Sequence, residues 1–318
     1  MNSTPVAPHP HPGPPLEGEG ELNQVFPLSP ARDLCYNLAM RQTIVPLALL
    51  CALILTLTGC SITHVMRIGD HQVIGVESMI EELHDAPVIL VGERHDAASH
   101  HKLQLEIIKG LQAKGRPLAI GMEMFEGPSQ KVLDAWISGT ATEQTLWKVY
   151  ESNWRNIPWN LYEDILYYAR DCKIPLIALN APRGIVQKVA QYGASALSKE
   201  DLLQLPSGIN LEVSEEYLDF IGSAYPAHGR GGEAFRHICE AQMLRNRVMA
   251  RGVSDYLALH PERTMVVLAG GGHAREKGGI PEELGKLQHR IVLPSIPGMD
   301  AETVSKEDAD YLMEEPYL

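Results

Sequence analysis

Basic residues are scarce in this sequence. Its 318 residues include 27 lysines and arginines against 40 aspartates and glutamates, which gives a formal net charge of −13. Proteins that bind nucleic acids need a cationic surface to neutralise the phosphates. The charge balance therefore argues against a nucleic-acid partner.

Three common catalytic motifs are also missing. The sequence has no G-x-S-x-G element for a serine nucleophile, no glycine loop ending in Gly-Lys-Ser/Thr, and no C-x-x-C pair. The stretch "GGGHAREKGG" at 270–279 is rich in glycine but lacks the Lys-Ser/Thr end of a phosphate loop. These absences argue against serine hydrolases of that class, P-loop enzymes and thiol oxidoreductases.

The longest apolar run lies near the start of the chain. Arg41 precedes the apolar stretch from Ile44 to Leu57, and the run ends in Leu57-Thr58-Gly59-Cys60. This pattern is similar to a bacterial lipoprotein signal, in which the cysteine is lipidated and becomes the first mature residue. The run is shorter than the roughly 20 residues of a membrane-spanning helix. We therefore predict a signal peptide at 40–59 and lipidation of Cys60; the alternative is a short membrane anchor.

Residues 1–39 differ from the rest of the chain in composition. The stretch "PHPHPGPPLEGEGE" has only acidic charge and no apolar period, so it cannot bury enough surface to fold. Because the signal begins at Met40, we expect 1–39 to be disordered and to result from a translation start assigned too far upstream. The two cysteines after Cys60 are Cys172 and Cys239, and the sequence does not decide whether they pair.

Residues 81–318 are predicted to form an α/β domain, after a linker and first element at 60–80. Runs rich in Val, Ile and Leu predict strands at 87–92, 117–121, 174–179, 264–269 and 290–293. Helical periods lie between these runs. Continuous apolar strands that alternate with helices are typical of a parallel β-sheet sandwiched by helices. Residues 192–232 lack a good strand, so we predict a small helical insertion subdomain there.

Polar and ionisable residues follow the predicted strands where each strand ends. Ligands of open parallel sheets bind at the carboxyl ends of the strands. The residues at these ends are Glu93 and His95, Glu123 and Glu126, Asn180 and Arg183, and His273 and Arg275. Two imidazoles and two carboxylates that converge there could bind a divalent metal, run acid–base chemistry or hold the polar groups of a ligand. We predict a site at this edge, with His95 and His273 close together.

The two G-x-x-H motifs, Gly92 to His95 and Gly270 to His273, together with Glu123 of "GMEMF", resemble the Tiki superfamily. Within it, "GERHDAASHHKLQ", "NWRNIPWNLYEDILYYAR", "PLIALNAPRG", "AQMLRNRVMA" and "GGHAREKGGIP" are similar in order and spacing to the ChaN-like haem-binding uptake lipoproteins. The resemblance implies a protein attached to the outer membrane and facing the periplasm. It implies haem bound through a tyrosine and across a homodimer, and it makes a haem or iron uptake receptor a candidate partner.

The resemblance directs the search for a haem ligand to the helical insertion. We predict Tyr217 as the axial ligand, because a phenolate is a good hard ligand for ferric iron. Tyr217 lies in a helical pattern that could aim the phenol, whereas Tyr225 precedes Pro226 in a glycine-flanked loop. The alternative for Tyr217 is an amphipathic helix whose tyrosine packs on the core.

Other side chains are expected to hold the rest of the haem. We predict that His228 meets a propionate, and that His95, His273 and Arg183 contribute from the strand ends, under the insertion. Further cationic candidates come from the following helix and are Arg236, His237, Arg245 and Arg247.

The rival hypothesis is a metal-dependent hydrolase, since the resemblance extends to metal-dependent proteases and erythromycin esterases. In that case His95, Glu123 and His273 would bind a divalent metal such as zinc, manganese or cobalt, and Glu93 would be the general base. A third hypothesis is a non-catalytic binding or scaffold module. The family pattern is expected to have an acid at Asn246, which puts a catalytic or metal-binding role in doubt. We expect a binding protein rather than an enzyme.

Overall fold

A computed structural model describes residues 64–224, 232–295 and 300–313, which all belong to one unit, Cys60–Leu318. The predicted signal peptide and Cys60 lie outside the described residues, and so do Tyr225 and His228. Cys172 and Cys239 are both free thiols. Among the described helices, none is both long enough and apolar enough to cross a membrane.

The apolar runs form one eight-stranded sheet. Its strands are β1 (His64–Arg67), β2 (Gln72–Gly75), β3 (Val88–Glu93), β4 (Leu118–Glu126), β5 (Leu176–Asn180), β6 (Thr264–Gly270), β7 (His289–Pro294) and β8 (Tyr311–Met313). Their order across the sheet is β2-β1-β8-β7-β3-β6-β4-β5. Strands β3 to β8 run parallel, and β1 is antiparallel to both of its neighbours.

The predicted parallel sheet is confirmed, and its five predicted strands correspond to β3 to β7. Every residue of β3 and β6 is buried, which explains why their sequences are continuously apolar rather than alternating. The sequence did not predict β1, β2 or β8. These strands have four residues or fewer, and β2 has no buried residue, so they carry little hydrophobic signal.

Helices cover both faces of the sheet. They are α1 (Val76–Leu83), α2 (Ala98–Ala113), α3 (Gln130–Ser138), α4 (Glu143–Asn153), α5 (Glu163–Asp171), α6 (Arg183–Tyr192), α7 (Lys199–Leu202), α8 (Glu215–Ala224), α9 (Glu233–Leu259), α10 (Gly271–Ala274) and α11 (Ile280–Glu283). Ile89 and Val91 of β3 pack in the core that includes α1 to α5, whereas Val88 and Leu90 pack in the core that includes α9 to α11. Alternate side chains of one strand thus pack into two separate cores, one on each face of the sheet.

The segment predicted as a helical insertion contains α7, α8 and a 3-10 helix at Ala194–Ala196, and its described residues form no strand. Two small apolar clusters attach it to the neighbouring helices. Leu205 packs with Ile185 of α6 and Leu244 of α9, and Tyr217 of α8 packs with Phe235 of α9. The insertion is therefore packed against α6 and α9.

Candidate functional site

Glu93 is the last residue of β3, and it is only 2% exposed. His95 Nδ1 lies 2.7 Å from Glu93 Oε1, and the Tyr162 hydroxyl donates to the same oxygen. Gln104 Nε2 donates to Oε2 at 2.8 Å, and His101 Nδ1 lies 3.4 Å from that oxygen. Both carboxylate oxygens are therefore engaged by neighbouring side chains.

These partners keep Glu93 ionised. Burial raises the pKa of Glu93, but the hydrogen bonds from His101 and His95 outweigh it and lower the pKa to about 2. Burial also lowers the pKa values of His95 and His101, yet their bonds to Glu93 raise both above the ordinary 6.5. Both rings are therefore predominantly cationic at pH 6.5 and below.

Helix α2 supplies two members of this network that sequence reasoning missed. His101 and Gln104 are buried on the face of α2 that also buries Ile107 and Ile108. The signal was present in the sequence, because polar residues occupied the first two turns of an otherwise apolar stripe. Buried polar groups at such positions need partners, and Glu93 is that partner.

A second buried carboxylate, Glu123, lies within β4 and is completely buried. Arg245 donates to Glu123 Oε1, and the backbone N–H of Gly270 donates to Oε2 at 2.6 Å. Asn180, at the end of β5, donates to the Glu123 backbone carbonyl at 2.8 Å and accepts a 3.2 Å bond from Arg245 Nε. Arg245 is thus committed to a buried ion pair and is not free to hold a haem propionate.

His273 lies in α10, directly after β6, and its Nδ1 is 2.5 Å from Asn246 Oδ1. Asn246 Nδ2 donates to the Gly278 carbonyl at 2.8 Å, so the amide oxygen must face His273 as an acceptor. Nδ1 of His273 therefore carries the proton, and Nε2 has the lone pair. Burial and the charge of Arg245 lower the pKa of His273 to about 4, so this ring is neutral at neutral pH.

Gly270 and Glu123 lie between the two histidines. A Cβ at Gly270 would be 2.9 Å from His95 Cε1, so only glycine leaves room for that ring. Glu123 Oε1 is 3.7 Å from His273 Nε2. Burial raises the pKa of Glu123, but the charges of His273, Arg245 and His95 lower it. The structure thus brings His95, Glu123 and His273 to one place at the carboxyl edge of the sheet.

The donor set does not fit the metal-dependent alternative. Among the described residues, no group of three or more His, Cys, Asp or Glu side chains is placed to hold a metal ion. The reason is local, since Arg245 and the Gly270 N–H occupy the Glu123 oxygens. Glu93, with its pKa of about 2, would also be a weak general base near neutral pH.

Two cavities open at this edge, and they divide the predicted haem residues. The first, which we call the Tyr217 cavity, is about 180 Å³ and is lined by Tyr217, Ile221, Ile238, Asn246 and His273 among others. The second, which we call the Trp154 cavity, is about 330 Å³, and its lining includes His95, Trp154 and Arg183. The structure therefore groups Tyr217 with His273, and it places His95 and Arg183 in a different cavity.

The remaining candidates have structural partners. Arg236 forms an exposed pair with Glu215, and Arg247 pairs with Glu283 while donating to two backbone carbonyls. Arg275 pairs with Asp308. The His237 ring is one that a Cβ at Gly193 would meet at 2.8 Å, which places it against α6.

The fold is similar to that of solved proteins. The structure of ChaN from Campylobacter jejuni, described as showing cofacial haem binding, matches with a TM-score of 0.60 at 21% identity, covering 78% of this chain and 95% of that one. The structure of the type III effector HopBA1 matches with a TM-score of 0.46 at 10% identity, covering 75% of this chain and 92% of that one. The ChaN match shows the fold, whereas the TM-score of the HopBA1 match is below 0.5.

One curated relative matches in sequence. It is Protein RETICULATA-RELATED 5, chloroplastic, from Arabidopsis thaliana, which is 28% identical over 127 residues. The match covers 38% of this chain, but this chain spans only 17% of that relative's length.

A family model described as haem-binding uptake, Tiki superfamily, ChaN matches residues 79–284. That segment holds both G-x-x-H motifs and the two buried carboxylates, Glu93 and Glu123. It also holds Tyr217 and Asn246. The match spans well over half of the chain, and this protein belongs to the ChaN family of haem-binding uptake proteins in the Tiki superfamily.

Proposed function

We propose that this protein binds ferric haem at the Tyr217 cavity, with the Tyr217 phenolate as axial ligand, as part of haem or iron uptake at the cell envelope. Membership of a haem-binding uptake family supports haem as the ligand. The observation that carries the site is that a phenol and a neutral imidazole line one cavity together with apolar side chains.

The lining fits the face of a haem that carries an axial ligand. Tyr217 is 6% exposed and lies one helical turn before Ile221, so both residues of α8 line the same cavity. Ile238 of α9 adds an apolar surface to that lining. A phenolate favours ferric iron, and apolar walls suit the macrocycle.

The cavity is too small for a whole haem. Its volume of about 180 Å³ is below the roughly 300 Å³ at which small-molecule pockets begin. A haem ligated by Tyr217 would therefore extend beyond it and need a second surface. A second copy of this chain is the proposed source of that surface.

Arg183 is removed from the proposed haem site, because it lines the Trp154 cavity. A better candidate for a propionate is Lys277. It directly precedes Gly278, which lines the Tyr217 cavity. Its ammonium is 3.7 Å from Glu216 in a half-exposed ion pair, which could open at little cost because exposed pairs contribute about 0–1 kcal/mol.

Attachment to the membrane is proposed through lipid on Cys60, with the protein on the outer membrane and facing the periplasm. The lipoprotein-like signal at 40–59 supports this position, and an uptake receptor is the corresponding partner. Radioactive palmitate should label the wild-type chain and not the Cys60→Ser variant. Equal labelling of both would refute lipidation at this residue.

The haem site is tested with a chain that starts at Ser61. This chain keeps every described core residue, since all four apolar clusters lie within 65–313. Titration with ferric haem should give a high-spin, tyrosinate-like absorption spectrum. Tyr217→Phe should abolish that spectrum without changing the far-UV circular dichroism.

Tyr192→Phe is the matched control, because Tyr192 is 58% exposed and lies outside the lining of both cavities. It should bind haem like the wild type. An unchanged spectrum in Tyr217→Phe would contradict the ligand assignment. If the wild type itself bound no haem, the proposed uptake role would be wrong.

A further inference from the structure

The Trp154 cavity is a second opening at the carboxyl edge of the sheet. Its volume is about 330 Å³, within the range of small-molecule sites. It has no lining residue in common with the Tyr217 cavity. The haem proposal therefore leaves this space without a role.

The cavity is cationic in an otherwise acidic protein. Arg155 and Arg183 line it, and neither forms an ion pair or a side-chain hydrogen bond with any described residue. His95 also lines the cavity. Its Nδ1 is hydrogen-bonded to Glu93, and its Nε2 lies on the opposite edge of the ring. Glu126 is the one carboxylate among the described lining residues, so the two unpaired guanidinium groups of Arg155 and Arg183 outnumber the carboxylates. With a net charge of −13 for the chain, such a local excess marks a place for an anion.

Apolar groups form the other walls. The apolar lining residues include Met124, which is fully buried, Ile157 and Val186. Trp154 packs edge-on against His95, with ring centroids 4.9 Å apart, and its indole Nε1 is buried without a partner among the described residues. A bare inorganic anion would leave these walls unfilled. The lining suits a ligand with one charged end and an apolar body.

We propose that the Trp154 cavity binds a small organic acid, with its carboxylate held by Arg183 and Arg155 and its apolar body against Trp154 and Met124. A guanidinium matches a carboxylate by two parallel hydrogen bonds, which a single exposed lysine could not provide. This site is separate from the proposed haem site and does not depend on it.

Benzoate is the probe, because it combines a carboxylate with a planar apolar body. Titration calorimetry on the chain from Ser61 should show one saturable site with a Kd of about 1 mM or tighter. Benzyl alcohol, which has the same ring without charge, should give no saturable heat. Inorganic phosphate should bind at least tenfold more weakly than benzoate. Benzoate should also change the tryptophan fluorescence, and Trp154→Phe should remove that change.

Variants separate this site from the haem site. Arg183→Met should weaken benzoate binding at least tenfold, since it removes a charge-assisted bidentate contact, and Arg183→Lys should retain part of the affinity. Tyr217→Phe should leave the benzoate affinity unchanged while the haem spectrum is lost. Thermal unfolding of each variant checks that the fold is intact.

Four results would overturn the proposal. The first is the absence of saturable benzoate binding, and the second is equal benzoate affinity in Arg183→Met and wild type. The third is phosphate binding as tight as benzoate binding. The fourth is a loss of benzoate affinity in Tyr217→Phe as large as the loss in Arg183→Met. Failure of haem binding alone would leave the organic-acid site standing, so the two proposals fail separately.

Discussion

The turns after β3 and β6 end in the same G-x-x-H motif, yet their histidines have opposite electrostatic states. His95 is about one-third exposed and shares a hydrogen bond with the carboxylate of Glu93, which raises its pKa against the effect of burial. His273 is 12% exposed and bonded to the amide of Asn246, and its pKa is lowered to about 4. At pH 6.5 one motif therefore supplies a predominantly cationic ring and the other a neutral ring.

The surroundings of each ring, and not the motif, set its charge. A carboxylate stabilises the imidazolium, whereas an amide oxygen accepts a hydrogen bond and adds no charge. Arg245, which pairs with Glu123 between the two rings, further disfavours a charge on His273. At pH 6.5 the Tyr217 cavity is consequently lined by an uncharged imidazole, and the Trp154 cavity is lined by a predominantly cationic one.

Removing the charge of Glu93 should have the largest effect on this contrast. Glu93→Gln leaves His95 and His101 without the buried anion that both rings contact. Loss of one member of a buried ion pair costs about 3–5 kcal/mol of unfolding free energy. Urea unfolding at pH 6.5 should show a loss of that size, and the pKa values of both histidines should fall in NMR titrations.

Glu276→Gln is the control for this prediction. Glu276 Oε2 lies 2.7 Å from His289 Nε2, but its side chain is 39% exposed. Exposed pairs contribute about 0–1 kcal/mol, so this variant should unfold almost like the wild type. Equal losses in the two variants would show that burial of the Glu93 network is energetically unimportant.

The pH dependence of stability should have a separate limb for each histidine. The folded pKa of His273, about 4, is below the ordinary 6.5, so its contribution is present above pH 6.5 and is lost as the pH falls toward 4. The folded pKa of His95 is above 6.5, so its contribution is present below that value and is lost as the pH rises through the raised pKa. The acid limb should amount to about 3 kcal/mol, since one pKa unit corresponds to about 1.4 kcal/mol.

Urea unfolding of His273→Gln and His95→Gln from pH 4 to 9 measures the two limbs. His273→Gln should flatten the limb between pH 6.5 and 4, and His95→Gln should flatten part of the alkaline limb, with His101 retaining the rest. If both variants changed the same limb, the assigned charge states would be wrong.

The sequence predicted the sheet and the edge where the polar residues meet, because both depend on local patterns. Buried strands are continuous apolar runs, and the parallel arrangement puts their carboxyl ends together. The short edge strands were missed, since β2 buries no residue and leaves no apolar signature. The resemblance to the ChaN family, which rests on the same strand-end motifs, is confirmed.

The partners within the site were harder to predict, because they come from helices distant in sequence. Tyr162 reaches Glu93 from the start of α5, and Arg245 reaches Glu123 from the middle of α9. Neither contact follows from a period or a spacing. The sequence also grouped Arg183 with Tyr217, whereas the structure separates them, since that division depends on how α6 and α8 pack against the sheet.

Asn246→Asp should abolish the contrast between the two histidines at the smallest cost in stability. The new carboxylate would face His273 Nδ1 as Glu93 faces His95, so the pKa of His273 should rise from about 4 toward or above 6.5. An aspartate cannot donate to the Gly278 carbonyl as Asn246 Nδ2 does, which should cost about 1 kcal/mol. NMR titration of the ring follows the pKa directly, with His95 in the same spectra as the internal control, because its partner Glu93 is unchanged. A His273 pKa that stayed near 4 would contradict this prediction, because a carboxylate at position 246 would then not offset burial and the charge of Arg245.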